Sequence, residues 1–351
     1  MSKFGRDILR DVEGYTPGEQ PRDGVYIKLN TNENPYPPSP KVIEALQSVS
    51  TEHLRKYPDP VAGALRRACA ERYGLPGEEW IIAGNGMDEI LALAIRAFVD
   101  PGDKLITVYP TYTLYDVLCQ LHGCSLRAIP LDDDFQLSPD FFNEQGTLCF
   151  LTRPNAPTGI AYPKEEIENF CKSFKGIVLI DEAYVDFADD NCMDLPLQYD
   201  NVIVTRTFSK SYALAGLRIG VAVAQPALIN EFIKIKDSYN MNYLSQKAAL
   251  AAIQDNAYME MRSEQIRKSR TQLRRQLLDL GFSVPESKSN FLLARWDGTP
   301  SAAVLFETLR NHHILVRYFN QPRLDNALRI TVGTDEECDQ LIQALKTIIA
   351  S

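Results

Sequence analysis

Nowhere along the 351 residues do roughly eighteen apolar residues run together, so no helix able to cross a bilayer is expected. The opening stretch Met1-Ser2-Lys3-Phe4-Gly5-Arg6-Asp7 lacks the apolar run of a secretory signal, and the cytoplasm is the expected location. Histidine is scarce. The four present, His53, His122, His312 and His313, show no His-Glu-x-x-His spacing, which leaves a zinc hydrolase without ligands, and no resident metal is expected. The seven cysteines, at 69, 119, 124, 149, 171, 192 and 338, contain no Cys-x-x-Cys pair. Neither a zinc ribbon nor a disulfide framework is suggested, and they read as buried thiols. Positive charge is in deficit too: a net charge of −9 argues against nucleic acid as the main partner, because phosphate neutralisation needs a basic footprint.

What is present describes a globular chain that can bury a sizeable core, with 45% hydrophobic and 24% charged residues, and its length suggests two unequal domains. The first forty or so positions are rich in Pro, Gly, Asn and Tyr, as in Asn32-Glu33-Asn34-Pro35-Tyr36-Pro37-Pro38, a composition suited to an extended arm. A helix is expected next, with Ser39 as cap, Pro40 in the first turn, and Val42, Ile43 and Leu46 on its apolar face. From Trp80 onward short apolar runs alternate with helical stretches: Trp80–Ala83, Leu105–Val108, Leu148–Leu151, Ile177–Ile180, Val202–Thr205 and Ile219–Val223. Continuous apolar strands separated by helices indicate an α/β fold with a mainly parallel sheet covered on both faces, whose ligands bind at the strands' carboxyl ends. Two helical stretches are expected between about 226 and 280, and Leu280-Gly281-Phe282 marks a change of character. Beyond it lies a smaller α/β segment with strands near Asn290–Ala294, Ile314–Tyr318 and Leu328–Val332 and a closing helix from about Thr334. The expected division is an arm over 1–38 that joins the small domain, a large domain over 39–280 and a small domain over 281–351.

Chemistry concentrates where the apolar runs end. Thr207-Phe208-Ser209-Lys210-Ser211-Tyr212-Ala213-Leu214-Ala215-Gly216-Leu217-Arg218 sets one lysine among hydroxyls, with an arginine eight positions on. A lysine that attacks an aldehyde must present an uncharged amine, so it needs desolvation or a cationic neighbour, and Arg218 can serve as one. The same arginine, with Thr207 and Ser209, offers donors to a phosphate. The run Ile177–Ile180 ends in Asp181-Glu182-Ala183-Tyr184, where Asp181 is placed to pair with a protonated pyridine nitrogen and Tyr184 to donate to a phenolate. A magnesium-binding Walker B acid is the rival reading of Asp181, but no Gly-x-x-x-x-Gly-Lys-Ser/Thr loop accompanies it. Gly84-Asn85-Gly86-Met87-Asp88 joins a strand to a helix and would turn backbone amides towards an anion. Pro110-Thr111-Tyr112 follows another strand and offers an aromatic face.

Together these residues resemble the fold-type I pyridoxal-phosphate aminotransferases, and most closely the histidinol-phosphate aminotransferase family. The resemblance runs almost end to end, through Leu29-Asn30-Thr31-Asn32-Glu33-Asn34-Pro35, Arg55-Lys56-Tyr57-Pro58-Asp59, the glycine turn, Arg153-Pro154-Asn155-Ala156-Pro157-Thr158-Gly159, Asp181 to Tyr184, Ser209 to Arg218, and Leu328-Arg329-Ile330-Thr331-Val332-Gly333-Thr334. It implies that Lys210 bonds to the aldehyde of pyridoxal 5'-phosphate and then moves the substrate's α proton, that Asp181 holds the ring nitrogen and Tyr184 the phenolate, and that Tyr112 stacks on the ring. Gly86, the amides of Met87 and Asp88, Thr207, Ser209 and Arg218 would hold the cofactor phosphate. Tyr57 would reach it from a partner subunit, which implies a homodimer. Tyr15, Asn34, Arg317 and Arg329 would bind the small-molecule substrates, histidinol phosphate, glutamate and 2-oxoglutarate. An aromatic amino acid aminotransferase, a threonine-phosphate decarboxylase, and a non-catalytic binding module that kept the fold are the alternatives.

One departure stands out. Where the family commonly places an asparagine before Pro-Thr-Gly, this chain has Ala156, with Asn155 one position earlier. Unless Asn155 compensates, the cofactor's phenolate has one donor fewer and holds its neighbouring proton more tightly. Ala156→Asn is therefore expected to lower the pH midpoint of the bound cofactor's visible absorbance change. An equal or higher midpoint in a spectrophotometric titration contradicts this.

Overall fold

The computed structural model describes residues 4–10 and 12–350. Its strands, in chain order, are β1 (Ile27–Lys28), β2 (Ile81–Gly84), β3 (Lys104–Tyr109), β4 (Ser125–Pro130), β5 (Leu148–Thr152), β6 (Ile177–Asp181), β7 (Val202–Thr207), β8 (Gly220–Val223), β9 (Phe291–Arg295), β10 (Ile314–Leu315), β11 (Arg317–Tyr318) and β12 (Ala327–Thr331). Seven of them form one sheet in the order β2-β8-β7-β6-β5-β3-β4. Only β8 runs against its neighbours, pairing antiparallel with both β2 and β7.

Alternation of side chains explains the apolar runs. Along β3, β5, β6 and β7, Ile106, Cys149, Leu151, Val178, Ile180, Val202 and Val204 face one buried cluster. Their chain neighbours Leu105, Leu148, Phe150, Leu179 and Ile203 face another. Helices cover both faces, so apolar residues fall on both. Because six strands are parallel, Gly84, Tyr109, Thr152, Asp181 and Thr207 end on a single edge, where Gly220 at the start of β8 lies opposite Gly84 and Thr207.

The second unit is a three-stranded antiparallel sheet in the order β11-β12-β9, beside a parallel pair β1-β10. The extended run expected at Ile314–Tyr318 is thus two short strands, because Ile314–Leu315 pairs with the amino-terminal arm and Arg317–Tyr318 with β12. Their shared core takes Leu29 from the arm, Leu292, Leu328 and Ile330 from the strands, Leu341 and Leu345 from the closing helix, and Ile266, Leu273 and Leu277 from the helix Asn256–Asp279. The closing helix Asp335–Ile349 starts with a capping box between Thr334 and Glu337.

Three details depart from expectation. β4 was not foreseen: it is an edge strand whose polar positions alternate with apolar ones and which ends in Pro130. Between 226 and 280 there are three helices, Pro226–Ile235, Tyr243–Gln254 and Asn256–Asp279. They separate at Asn242, whose side chain caps the second, and at Asp255, whose carboxylate is drawn to Ser39 and Lys41. In the helix Pro40–Gln47, capped by Ser39, Val42 is buried and Leu46 packs against the core, whereas Ile43 is 46% exposed. The i, i+4 pair defines the buried face, and Ile43 points away from it. Six cysteines are buried and Cys124 is partly exposed, with its Sγ 3.1 Å from that of Cys119.

Leu179, fully enclosed in the central strand, is expected to cost about 2–5 kcal/mol of unfolding free energy as Leu179→Ala, through lost burial and the cavity left behind. Thr334→Ala, which removes one cap, is expected to cost about 1 kcal/mol. Urea denaturation of both variants measures the contrast, and equal effects would contradict the assignment of the core.

Candidate functional site

A cavity of about 250 Å³ opens at the carboxyl edge of the sheet, lined among others by Asp181, Tyr112, Tyr184, Lys210, Arg218 and Arg329. β7 delivers Thr207 to this edge, and a tight loop follows: the Thr207 hydroxyl accepts the Ser209 N–H at 3.1 Å and donates to the Ile219 carbonyl at 3.3 Å. That loop presents Lys210. The lysine Nζ donates to the Thr31 carbonyl at 3.1 Å rather than to a carboxylate. Burial, with Arg329 and Arg218 adding to it, lowers the amine's pKa from 10.5 to about 8, against the partial opposition of Glu33 and Asp88. Roughly a tenth of the amine is therefore an uncharged nucleophile at pH 7, far more than for an exposed lysine.

Asp181 ends β6 and is 3% exposed. Tyr115 donates its hydroxyl proton to Oδ2 at 2.8 Å, and the Ala183 N–H reaches Oδ1 at 3.1 Å. Burial raises its pKa to about 6 despite these donors, with Asp88 and Glu182 contributing. A buried carboxylate of this kind lacks a cationic partner, and a pyridinium N–H would supply one.

The anion-binding end is shaped by glycine. Gly86 has φ of 90°, and a Cβ there would lie 2.6 Å from Arg218 Nη2, so only glycine lets the turn pass the guanidinium. At Gly220 a Cβ would come within 2.8 Å of the Met87 nitrogen. The helix Met87–Phe98 begins here, and the amides of Met87 and Asp88 lie in its first turn, where no carbonyl four residues back can accept them. Arg218, itself in left-handed conformation at φ 50°, reaches Ser209 Oγ and Asp88 Oδ2, both at 3.3 Å. These are long bonds, readily exchanged for shorter ones to a phosphate.

Tyr112 lies on the cavity wall, edge-on to Tyr15 at 5.5 Å between ring centroids, with its hydroxyl directed to Asp88 at 3.3 Å. The Tyr184 oxygen accepts from Asn32 Nδ2 at 3.0 Å. On the opposite wall, β11 and β12 place Arg317 directly across from Arg329. Arg329 donates to the Asn30 carbonyl at 2.8 Å, while its Nε is buried without a partner. Arg317 bonds the Thr16 carbonyl at 3.1 Å. Like charges opposed on one sheet face repel unless an anion lies between them, so the pair is suited to receive one.

Three expected residues lie elsewhere. Asn155 is fully buried, and its amide donates to the Pro110 carbonyl and the Thr158 hydroxyl, both at 3.1 Å. Both donors are thus used, one on the loop after β3 and one within its own loop, and Ala156 lines the cavity instead. Asn34 donates to the carbonyls of Lys210 and Ser211 at 3.0 and 3.1 Å, pinning the arm to the lysine loop rather than facing the cavity. Tyr57 is 80% exposed and stacked on Tyr239 at 4.3 Å, outside its own chain's cavity. Tyr115, Asn32, Phe319 and Gly220 were not foreseen. Among the described residues, no group of three or more His, Cys, Asp or Glu side chains is placed to hold a metal.

Residues 25–345 match the family model of aminotransferase class I and II. The chain belongs to this family. Histidinol-phosphate aminotransferase 1 of Trichormus variabilis is 43% identical over 351 residues, 99% of this chain and 100% of that protein. The histidinol-phosphate aminotransferase of Geotalea daltonii is 44% identical over 352 residues, with 99% and 100% covered. The crystal structure of histidinol-phosphate aminotransferase from Sinorhizobium meliloti in complex with pyridoxal-5'-phosphate superposes with a TM-score of 0.89, at 25% identity, over 100% of this chain and 98% of that one. In this aminotransferase the donor set fits the same cofactor. The buried carboxylate of Asp181, which has no cationic partner among the described residues, suits the ring nitrogen, the glycine-lined cradle suits the phosphate, and the amine of Lys210 suits the aldehyde.

Competitive acetylation of the cofactor-free protein is expected to show Lys210 titrating near pH 8, whereas an exposed lysine titrates near 10.5. The sign follows for stability as well. Between those two values the unfolded chain binds the extra proton, so the lysine's unfavourable contribution shrinks as pH rises through that window. A Lys210 midpoint above 10 contradicts the electrostatic account.

Proposed function

We propose that the protein transfers the amino group between L-histidinol phosphate and 2-oxoglutarate, giving imidazole acetol phosphate and L-glutamate, in histidine biosynthesis. The observation that carries this reading is the opposed pair Arg317 and Arg329 on the wall facing Lys210, together with relatives named for this reaction. Glutamate brings two carboxylates and histidinol phosphate brings a phosphate, and a guanidinium fork accepts either shape. Pyridoxal phosphate, when bound, supplies an electron sink for the carbanion left by the α proton.

The protein's own groups do the rest. Lys210 Nζ holds and delivers the proton at the α carbon, its low pKa allowing both states near neutrality. Asp181 keeps the ring nitrogen protonated, and Tyr115 fixes the carboxylate's orientation. Arg329, with its unused Nε, takes the α-carboxylate of glutamate, and Arg317 the more distal anion. On this reading the chain divides into an arm over 1–38 that joins the small domain over 281–351, and a large cofactor-binding domain over 39–280.

A homodimer in the cytoplasm completes the reading. The exposed, stacked rings of Tyr57 and Tyr239 are suited to contact with a second copy, from which Tyr57 would enter the partner's site.

Half-reactions of the holoenzyme with histidinol phosphate, phenylalanine and tyrosine, run side by side, decide the substrate. Histidinol phosphate is expected to bleach the cofactor's visible band fastest. Faster reaction with phenylalanine makes the enzyme an aromatic aminotransferase, and carbon dioxide release from added threonine phosphate without need of 2-oxoglutarate makes it a decarboxylase. Arg317→Ala is expected to raise KM for histidinol phosphate by roughly tenfold to a hundredfold through loss of a charged hydrogen bond.

A further inference from the structure

The arm residue Asn32 is buried and holds φ of 56°, a left-handed conformation that asparagine tolerates better than most L residues. All four of its polar groups are engaged. Its N–H donates to Thr331 Oγ1 at 2.9 Å, its carbonyl accepts from Asn290 Nδ2 at 3.0 Å, Oδ1 accepts from Thr331 Oγ1 at 3.1 Å, and Nδ2 donates to the Tyr184 hydroxyl at 3.0 Å. Proton direction follows from this set. The Thr331 oxygen accepts the backbone N–H, so its own proton goes to the side-chain oxygen of Asn32, and that leaves the amide NH₂ facing Tyr184.

With the Tyr184 oxygen already accepting, its single proton points elsewhere. The groups around it are the Lys210 ammonium, 5.7 Å above the ring, the Phe291 ring edge-on at 5.0 Å, and the charges of Arg329 and Asp181 with the Tyr15 phenol. The proton therefore points into the cavity.

We propose that Asn32 is a positioning residue: by donating to Tyr184 it obliges that phenol to donate inward to the cofactor's phenolate, and through Thr331 it ties this to the seating of arm and small-domain sheet. The inference rests on the aminotransferase reading above and names a residue whose effect is exerted through another. It also bears on Ala156, which leaves the phenolate without an amide donor on that side. Tyr184 then carries a larger share, and the group that orients it matters correspondingly.

The test is a spectrophotometric pH titration of pyridoxal-phosphate-loaded wild type, Asn32→Gly, Tyr184→Phe and the double variant. Glycine keeps the left-handed backbone open while deleting the amide. A phenolate that loses a donor becomes a better base, so the midpoint of the visible absorbance change is expected to rise in Asn32→Gly by roughly half a pH unit, the size of a modest hydrogen bond. Tyr184→Phe is expected to raise it further, and the double variant no further than Tyr184→Phe alone. An unmoved midpoint in Asn32→Gly, or shifts that add in full, overturns the proposal. Should Asn32→Gly fail to fold, Thr331→Val, which removes the donor to Oδ1 and the acceptor of the Asn32 N–H but keeps the amide that faces Tyr184, is expected to shift the midpoint the same way by less, and no shift overturns it. A wild-type protein that develops no visible band with pyridoxal phosphate contradicts the aminotransferase reading itself.

Discussion

An amine withdrawn from water and denied a carboxylate partner is the constraint on which this site depends. Lys210 is set in a buried wall with two guanidinium groups lowering its proton affinity and a backbone carbonyl as its hydrogen-bond partner. A lysine paired tightly with Asp or Glu would keep its proton and lose its nucleophilicity. The acids that are near serve other ends: Asp88 faces Arg218 and Tyr112, and Asp181 is held in place by Tyr115 and the Ala183 amide. The separation of acid from amine follows from strand order, because β6 and β7 are neighbours whose last residues project along one edge into the same cavity.

The amino-terminal arm closes that cavity through consecutive polar residues, each assigned to a different part of the molecule. The Asn30 carbonyl takes Arg329, the Thr31 carbonyl takes Lys210, Asn32 bridges Tyr184 and Thr331, and Asn34 holds the carbonyls that follow Lys210. An extended segment has no ladder of its own to satisfy its backbone, so these groups must be matched by tertiary partners. Here the partners are functional side chains. Arm, lysine loop and small-domain sheet consequently form one polar network around the ligand space, and the composition that marks the arm as irregular also makes it part of the site.

Much of the fold and of the site was legible in the sequence for identifiable reasons. Strands buried on both faces write themselves as unbroken apolar runs, as at Val202–Thr205, and a Gly-x-Gly between such a run and a helix announces its turn. The reach of Lys210, Asp181, Tyr184, Tyr112 and Arg218 to one cavity follows from their positions at or near the strand ends on one edge of the sheet, Arg218 just ahead of the antiparallel β8. What stayed hidden depends on contacts across hundreds of residues. Asn32 and Asn34 are near-identical in local context, and only the register against Thr331 in one case and the Lys210 loop in the other separates their roles. Tyr115 reads as a core aromatic on an amphipathic helix, and its hydroxyl contact with Asp181 has no local signal. β4 lies at the sheet edge with one side wet, which erases the run that identifies its neighbours.

The central claim is that the amine at position 210 is the group that bonds the cofactor's aldehyde. Reduction of the pyridoxal-phosphate-loaded protein with borohydride, followed by digestion and mass mapping, tests it at the level of a single bond. The account predicts one pyridoxyl group per chain, on the peptide that contains Lys210. A label on any other lysine, or no label on a protein that has bound the cofactor, contradicts it.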